Sequence, residues 1–378
     1  MRSTTVRLGG AAAAAGLALL LGAAPATSDP ASGSVAAPTP PVTDAAALAA
    51  LDPRPDAVPG ARETAPCPEP TPPAGTTLGD LSPGPDPAAW SAGRGEGQLV
   101  AVVDTGVADH PRLRGRVADG GDFVDGTSGR DDCDGHGTAV AGLVAADPAP
   151  GDLLVGTAPA ARVLAVRQTS AFFSAGAGVG SGVGSGVGSG VGDVTTLARA
   201  VRHATATPGV GVLLLALAAC RTPAEVADPA AAPALGALRA AVREATDRGV
   251  VVVAAAGNTG PGCPANTGGA VASVPVPAWF SDDVLVVGAV DDDGTPDPSS
   301  LAGPWVDLAA PGRAPVSLAS RGDGLTTALT APDGASGPLV GTSFAAARVA
   351  GAAALVRAQD PAAPAREVAA ALVRSAAP

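Results

Sequence analysis

An otherwise apolar chain carries four polar residues at points where it changes direction: Asp104, His136, Asn258 and Ser343. Ser343 stands in LVGTSFAAARVAGAAAL (339–355), where small residues lead up to a single hydroxyl and an Ala/Val/Leu run follows that reads as a buried helix. Gly341 and Thr342 suit a turn and a cap at its entrance. Ser343 then falls in the first turn, among unpaired backbone N–H groups and at the positive end of the helix dipole. A nucleophile placed there gains help with the negative charge that develops in acyl transfer. On this stretch alone an N-cap serine before an ordinary core helix explains the pattern equally well.

A reacting serine needs a base for its proton, a carboxylate to orient that base and donors for an oxyanion. The chain has three histidines. His110 lies in a polar turn before Pro111, and His203 lies beside Arg202 on an expected helix. Both read as structural or solvated. His136 is bracketed by Gly135, Gly137 and Thr138 at a helix entrance, where its ring can reach a neighbouring strand end, and it is the expected general base. Most aspartates sit in polar turns, such as Asp131–Asp132 and Asp291–Asp293, where solvation is expected. Asp104 instead ends the apolar run QLVAVV (98–103), so its carboxylate is partly buried and requires a partner. Asn258 follows VVVAAAG. It is either a turn residue between Gly257 and Thr259 or an amide donor to an oxyanion.

Alternating strands and helices position these residues. Strands are expected at 98–103, 162–166, 211–217, 251–256, 284–290 and 305–308. Helices are expected after His136, at 193–205, 234–248 and 365–375, and along the serine run. Continuously apolar strands interleaved with helices imply an α/β fold, with a mainly parallel sheet covered on both faces. In such sheets the site forms at the carboxyl ends of the strands. Asp104 and Asn258 fall at strand ends, and His136 and Ser343 at helix starts.

The remaining chain bounds the context. Residues 1–26 have a positive start, an apolar run and the small-x-small triplet Ala24-Pro25-Ala26, the form of a secretory signal peptide. Residues 27–85, dense in Pro, Ala and Asp, read as an extended, weakly structured extension, and 86–378 as the folded domain. Within that domain, the Gly/Ser/Val repeat at 176–192 reads as a flexible surface loop. Net charge is −12 and there is no lysine, which argues against nucleic acid as the main partner. Cys67, Cys133, Cys220 and Cys263 form no CxxC or CxxH pair, so a metal site is not expected and two disulfides are. Three pairings remain open. Aromatics make up only 2% of the chain, so the core must be built from Ala, Val and Leu.

The segments VVDTGV around Asp104, DGHGTAVAGLVAA around His136, AAAGN at Asn258 and GTSFAA at Ser343 resemble the subtilisin family of serine peptidases, in that family's order of Asp, His and Ser. The resemblance implies a subtilisin-like three-layer α/β fold and peptide-bond hydrolysis without a cofactor. It also implies a catalytic Asp104, His136 and Ser343 with Asn258 in the oxyanion hole. A narrower likeness, in DDCDGHGTAVAGLVAA, VRQTS (166–170), Ala219-Cys220 and the cysteine spacing, is to the mycosins, subtilisin-like proteases of type VII secretion. It implies a proline-rich extension wrapping the domain, the pairs Cys67–Cys133 and Cys220–Cys263, and association with type VII secretion membrane components. Three departures stand out. The proline-rich linker and spanning helix usual in mycosins do not follow before Pro378. Leu214 and Ala216 replace Asn and Ser in the strand bordering the cleft. Ala347 replaces a common Pro. No DxDxDG calcium loop is present. The expected protein is a secreted or cell-envelope serine endopeptidase acting on protein or peptide substrates. The alternative is a stabilising component of a secretion complex, with proteolysis secondary.

Overall fold

The computed structural model describes residues 37–73, 90–150, 154–175 and 190–376. The leader expected at 1–26 and residues 176–189 of the glycine repeat lie outside the described residues. Seven strands build the central sheet: β1 (Leu99–Asp104), β2 (Val117–Asp122), β3 (Arg162–Arg167), β4 (Val210–Leu215), β5 (Val251–Ala255), β6 (Leu285–Val290) and β7 (Leu308–Pro311). Their spatial order is β7-β6-β5-β4-β1-β3-β2, and every pairing is parallel. β1, β5 and β6 are buried along their whole length, which is why they read as unbroken apolar runs rather than alternating ones. The strand order reverses at β1, so the end of β1 lies at the point where an open parallel sheet gathers its site.

The helices are α1 (Ala45–Ala50), α2 (His136–Ala145), α3 (Val194–Ala206), α4 (Pro223–Ala227), α5 (Ala232–Asp247), α6 (Thr342–Gln359) and α7 (Ala365–Ser375). The two-residue period of a strand divides the core between the faces of the sheet. Val100 and Val102 of β1 pack with Val140 and Val144 of α2 and Phe344 and Leu355 of α6. Ala101 and Val103 point to the other layer, with Leu197 and Val201 of α3 and Leu238 and Val242 of α5. α6 is buried nearly all round its first four turns, as expected for a helix without a polar face.

Two expectations change. The strand expected at 305–308 starts instead at Leu308. Trp305 is buried in the preceding turn, and Asp307 turns its carboxylate to accept a hydrogen bond from the Val286 N–H at 2.8 Å. The extension is more ordered than its composition suggests. The alanine-rich DAAALAA segment forms α1, capped by the Asp44 carboxylate on the Ala47 N–H at 2.8 Å, with Leu48 buried in the layer of α3 and α5. Arginines of the body bind the extension's carbonyls, Arg202 to Leu48 at 3.0 Å and Arg239 to Pro41 at 2.7 Å. Farther on, Arg62–Glu63 pairs antiparallel with Phe173–Ser174, and Thr327 donates to the Thr71 carbonyl at 2.9 Å. Disulfides join Cys67 to Cys133 and Cys220 to Cys263.

Candidate active site

Asp104 is the last residue of β1 and His136 the first of α2. Nδ1 of His136 lies 2.7 Å from Oδ1 of Asp104, and both side chains are buried. The same carboxylate oxygen accepts the Thr105 N–H at 2.8 Å. The closeness of α2 to β1 depends on Gly137. A Cβ there would stand 2.0 Å from the Gly106 carbonyl oxygen and 3.1 Å from the Asp104 carboxylate. Burial opposes a charge on the imidazole, but the carboxylate of Asp104 and its hydrogen bond, helped by Asp132 and Asp134, hold the His136 pKa above the ordinary histidine value.

Asp132 corrects the expectation of solvation at 131–132. Asp131 is exposed, whereas Asp132 is buried and accepts four hydrogen bonds. They come from Thr105 Oγ1 (2.8 Å), the Gly135 N–H (2.8 Å), the Thr138 N–H (2.8 Å) and Thr138 Oγ1 (2.6 Å). Thr105 Oγ1 in turn accepts the Gly137 N–H at 2.9 Å. The carboxylate thus ties the residue after Asp104 to the first turn of the His136 helix. Its signal in the sequence is the threonine after Asp104 and the threonine two residues after His136. Each needs an acceptor once buried. Nearby, Asp134 accepts from Ser170 Oγ at 2.5 Å and the Ala171 N–H at 2.7 Å, and burial pushes its pKa up to about 7.

Ser343 is the second residue of α6 and is 4% exposed. The ring of Phe344, its neighbour in sequence, lies 5.5 Å from the His136 imidazole, so the starts of α2 and α6 lie side by side. Asn258 follows β5, and its Oδ1 accepts the Thr342 N–H at 2.9 Å and Thr342 Oγ1 at 3.1 Å. Since only the oxygen can accept from a backbone N–H, this pair fixes the amide orientation and leaves Nδ2 on the side of Gly341. Gly341 has φ 152° and ψ 168°, a region essentially confined to glycine. A Cβ on it would meet Asn258 Nδ2 at 2.9 Å.

The remaining histidines are placed elsewhere. His110 is buried, with Nε2 2.9 Å from the Gly324 carbonyl and Nδ1 accepting the Arg112 N–H at 3.1 Å. His203 is half-buried against Phe123. Leu214, Ala216 and Ala347 are fully buried in the layer of α2 and α6, and Ala216 lies just past the end of β4, whose Leu215 pairs with Val103.

A parallel α/β sheet that sets a carboxylate–imidazole pair at its switch point beside a serine-bearing helix start has the layout of a serine hydrolase. The chain belongs to the subtilase family of serine peptidases, whose sequence pattern matches residues 95–378. Within that family it is similar to the mycosins. It is 45% identical to mycosin-4 of Mycobacterium tuberculosis over 74% of this chain and 60% of that protein. With mycosin-3 of the same organism it shares 42% identity, over 75% of this chain and 63% of the relative. It spans about three fifths of the length of these curated relatives. Among solved structures, the MycP3 protease from the type VII (ESX-3) secretion system superposes with a TM-score of 0.73 at 36% identity, covering 88% of this chain and 91% of that one. A chain of the intact ESX-5 inner membrane complex gives 0.74 at 37% identity, covering 87% and 80%. The subtilisin-like α/β fold expected from the motifs is the fold observed.

Proposed function

We propose that the protein is an exported serine endopeptidase that hydrolyses peptide bonds through Ser343, His136 and Asp104. The observation that carries this reading is the buried His136–Asp104 hydrogen bond at the start of α2, set beside the start of α6 that bears Ser343. With Nδ1–H donated to Asp104, Nε2 is the free basic nitrogen. It takes the Ser343 hydroxyl proton as Oγ attacks the scissile carbonyl. The Asn258 Nδ2 and the Ser343 backbone N–H, one of the first-turn donors a helix leaves without an intrahelical acceptor, stabilise the oxyanion. His136 then protonates the departing amine, an acyl-enzyme remains on Ser343, and water enters by the same route to release it. Ser343→Ala is expected to abolish labelling by a fluorophosphonate probe while leaving the fold intact. Equal labelling of wild type and variant would refute the assignment.

The secretory leader and two disulfides support a location outside the cytoplasm, in the cell envelope or beyond. Among the described residues no helix is long and apolar enough to cross a membrane. The second reading is that the chain stabilises a type VII secretion complex, with proteolysis secondary. The presence of similar chains in ESX-5 inner membrane and periplasmic assemblies favours it. Complementation separates the two. Secretion restored by Ser343→Ala in a deletion strain supports the structural role, and failure equal to the deletion excludes it.

A further inference from the structure

The first contacts of the extension give it a heading. The Asp44 N–H donates to the Gly236 carbonyl at 2.9 Å, and Arg239, one turn farther along α5, donates to the Pro41 carbonyl at 2.7 Å. Followed toward its N-terminus, the extension thus runs along α5 toward the carboxyl end of that helix. Trp279 then holds the Pro38 carbonyl at 2.6 Å, and Ala37 packs against the layer of α3 and α5. The next turns of α5 meet Asp283. Arg243 reaches its carboxylate at 2.6 Å, and Thr246 Oγ1 donates to its carbonyl at 2.8 Å.

Thr246 and Asp283 also belong to the wall of a cavity of about 410 Å³. It lies where β5 and β6 begin, at Val251 and Leu285, and so at the end of the sheet opposite Ser343. α7 closes its other side with Ala369 and Val373, both half-buried. Asp307 stands half-buried in the same wall. Its only partner among the described residues is the Val286 N–H, and burial pushes its pKa up to about 6. A carboxylate so placed lacks a cation. Asp283 does not, because Arg239, Arg243 and Arg366 surround it. Removal of the expected leader after Ala26 leaves ten residues, TSDPASGSVA (27–36), ahead of Ala37. Ten residues reach at most about 35 Å. That is ample, since Arg239 already joins Pro41 to Asp282 of the cavity wall. The side chains of the segment are small, and its charges are the new α-ammonium and Asp29. The cavity offers both complements, Asp282 and Asp307 for the ammonium and Arg374 for the carboxylate.

We propose that residues 27–36 occupy this cavity once the leader is removed, with the new α-ammonium paired to Asp307. The first residues of the extension then form a plug between α5 and α7 at the base of the sheet. An uncut precursor carries an amide in place of that charge, so seating waits on removal of the leader.

The test uses the full chain starting at Thr27. It contains no lysine, so its α-amino group is the only primary amine, and an amine-specific acylating reagent reads it alone. An ordinary α-amino group titrates near pH 8, and a partner that raises its pKa by about one unit leaves about a tenth as much free amine at pH 7. Wild type is therefore expected to acylate about tenfold more slowly than the free peptide TSDPASGSVA, and Asp307→Asn, which keeps an oxygen for the Val286 N–H, within about twofold of that peptide. Ala369→Trp fills the cavity and should release the amine in the same way. A second readout does not depend on charge. Hydrogen exchange should show the amides of 31–36 slowed about tenfold or more in wild type and freed in Ala369→Trp. Equal acylation rates in wild type, Asp307→Asn and the free peptide would overturn the proposal. So would exchange at 31–36 as fast in wild type as in the free peptide. Protection that grows with protein concentration would assign the cavity to a second copy of the chain and overturn it as well.

Discussion

Replacing Asp132 with asparagine keeps the shape of the side chain but puts an NH₂ group where two of four donors now find an oxygen. The buried donors left without an acceptor must shift, and the first turn of α2 shifts with them. Asp132→Asn is expected to lower kcat/KM by about one to two orders of magnitude, the effect of a small misplacement of a reacting group. It should also move the acid limb of the pH profile. In the proposed mechanism His136 works as a base only when neutral, and Asp132 is among the anions that raise its pKa. Removing that charge lowers the pKa, so the limb moves to lower pH. Asp134 gives a stability signature of opposite character. Its folded pKa of about 7 lies above the usual 3.8. Between those values the folded protein holds a proton that the unfolded chain has lost. The contribution of this group therefore falls as pH rises across that window. Thermal melts of Asp134→Asn should show a flatter decline from about pH 4 to about pH 7 than wild type, and unchanged slopes would show that burial does not set this titration.

At the scale of elements, the turn from Ser336–Val340 into α6 carries Gly341 against Asn258. An alanine there must adopt an unfavourable backbone conformation and push on Asn258 Nδ2. Gly341→Ala should lower kcat by about 10²- to 10³-fold, the cost of losing one oxyanion donor, with an unchanged far-UV CD spectrum. α6 itself was legible in the sequence because a helix with no polar face can only be a core helix, and Ser343 stood out at its start. α2 was legible for the same reason. The hydrogen bonds that join the two helices to the strands were not. Thr105, Asp132 and Thr138 look like ordinary turn and cap residues, and only folding shows that one carboxylate serves all of them. The strand at Leu308 was misplaced by three residues because a buried tryptophan in a turn has the same apolar signature as a strand.

For the molecule as a whole, the parallel run of the sheet and its covering layers followed from the alternation of apolar strands and helices, whereas the strand order and the half-exposed edge strand β2 were not legible, because β2 lacks a continuous apolar run. The extension was less legible. Its proline content hid α1, and its attachments are made largely by arginines, a tryptophan and a disulfide that belong to the body. The disulfide Cys67–Cys133 closes a long loop, and loss of such a bridge costs about 2–5 kcal/mol in domains that depend on one. Replacing both Cys67 and Cys133 with serine should lower the midpoint of denaturant unfolding, with a further fall on reduction as Cys220–Cys263 opens. An unchanged midpoint would mean that the noncovalent anchors alone hold the strap.

Those anchors also carry an order in time. Trp279 binds the Pro38 carbonyl across 241 residues of chain, and Thr326 meets Thr71 across 255. A chain is made from its N-terminus, and contacts so distant in sequence cannot form until the later partner exists. The extension is therefore made first, but these two anchors close only after residues 279 and 326 have emerged, so its two ends are fastened late in synthesis.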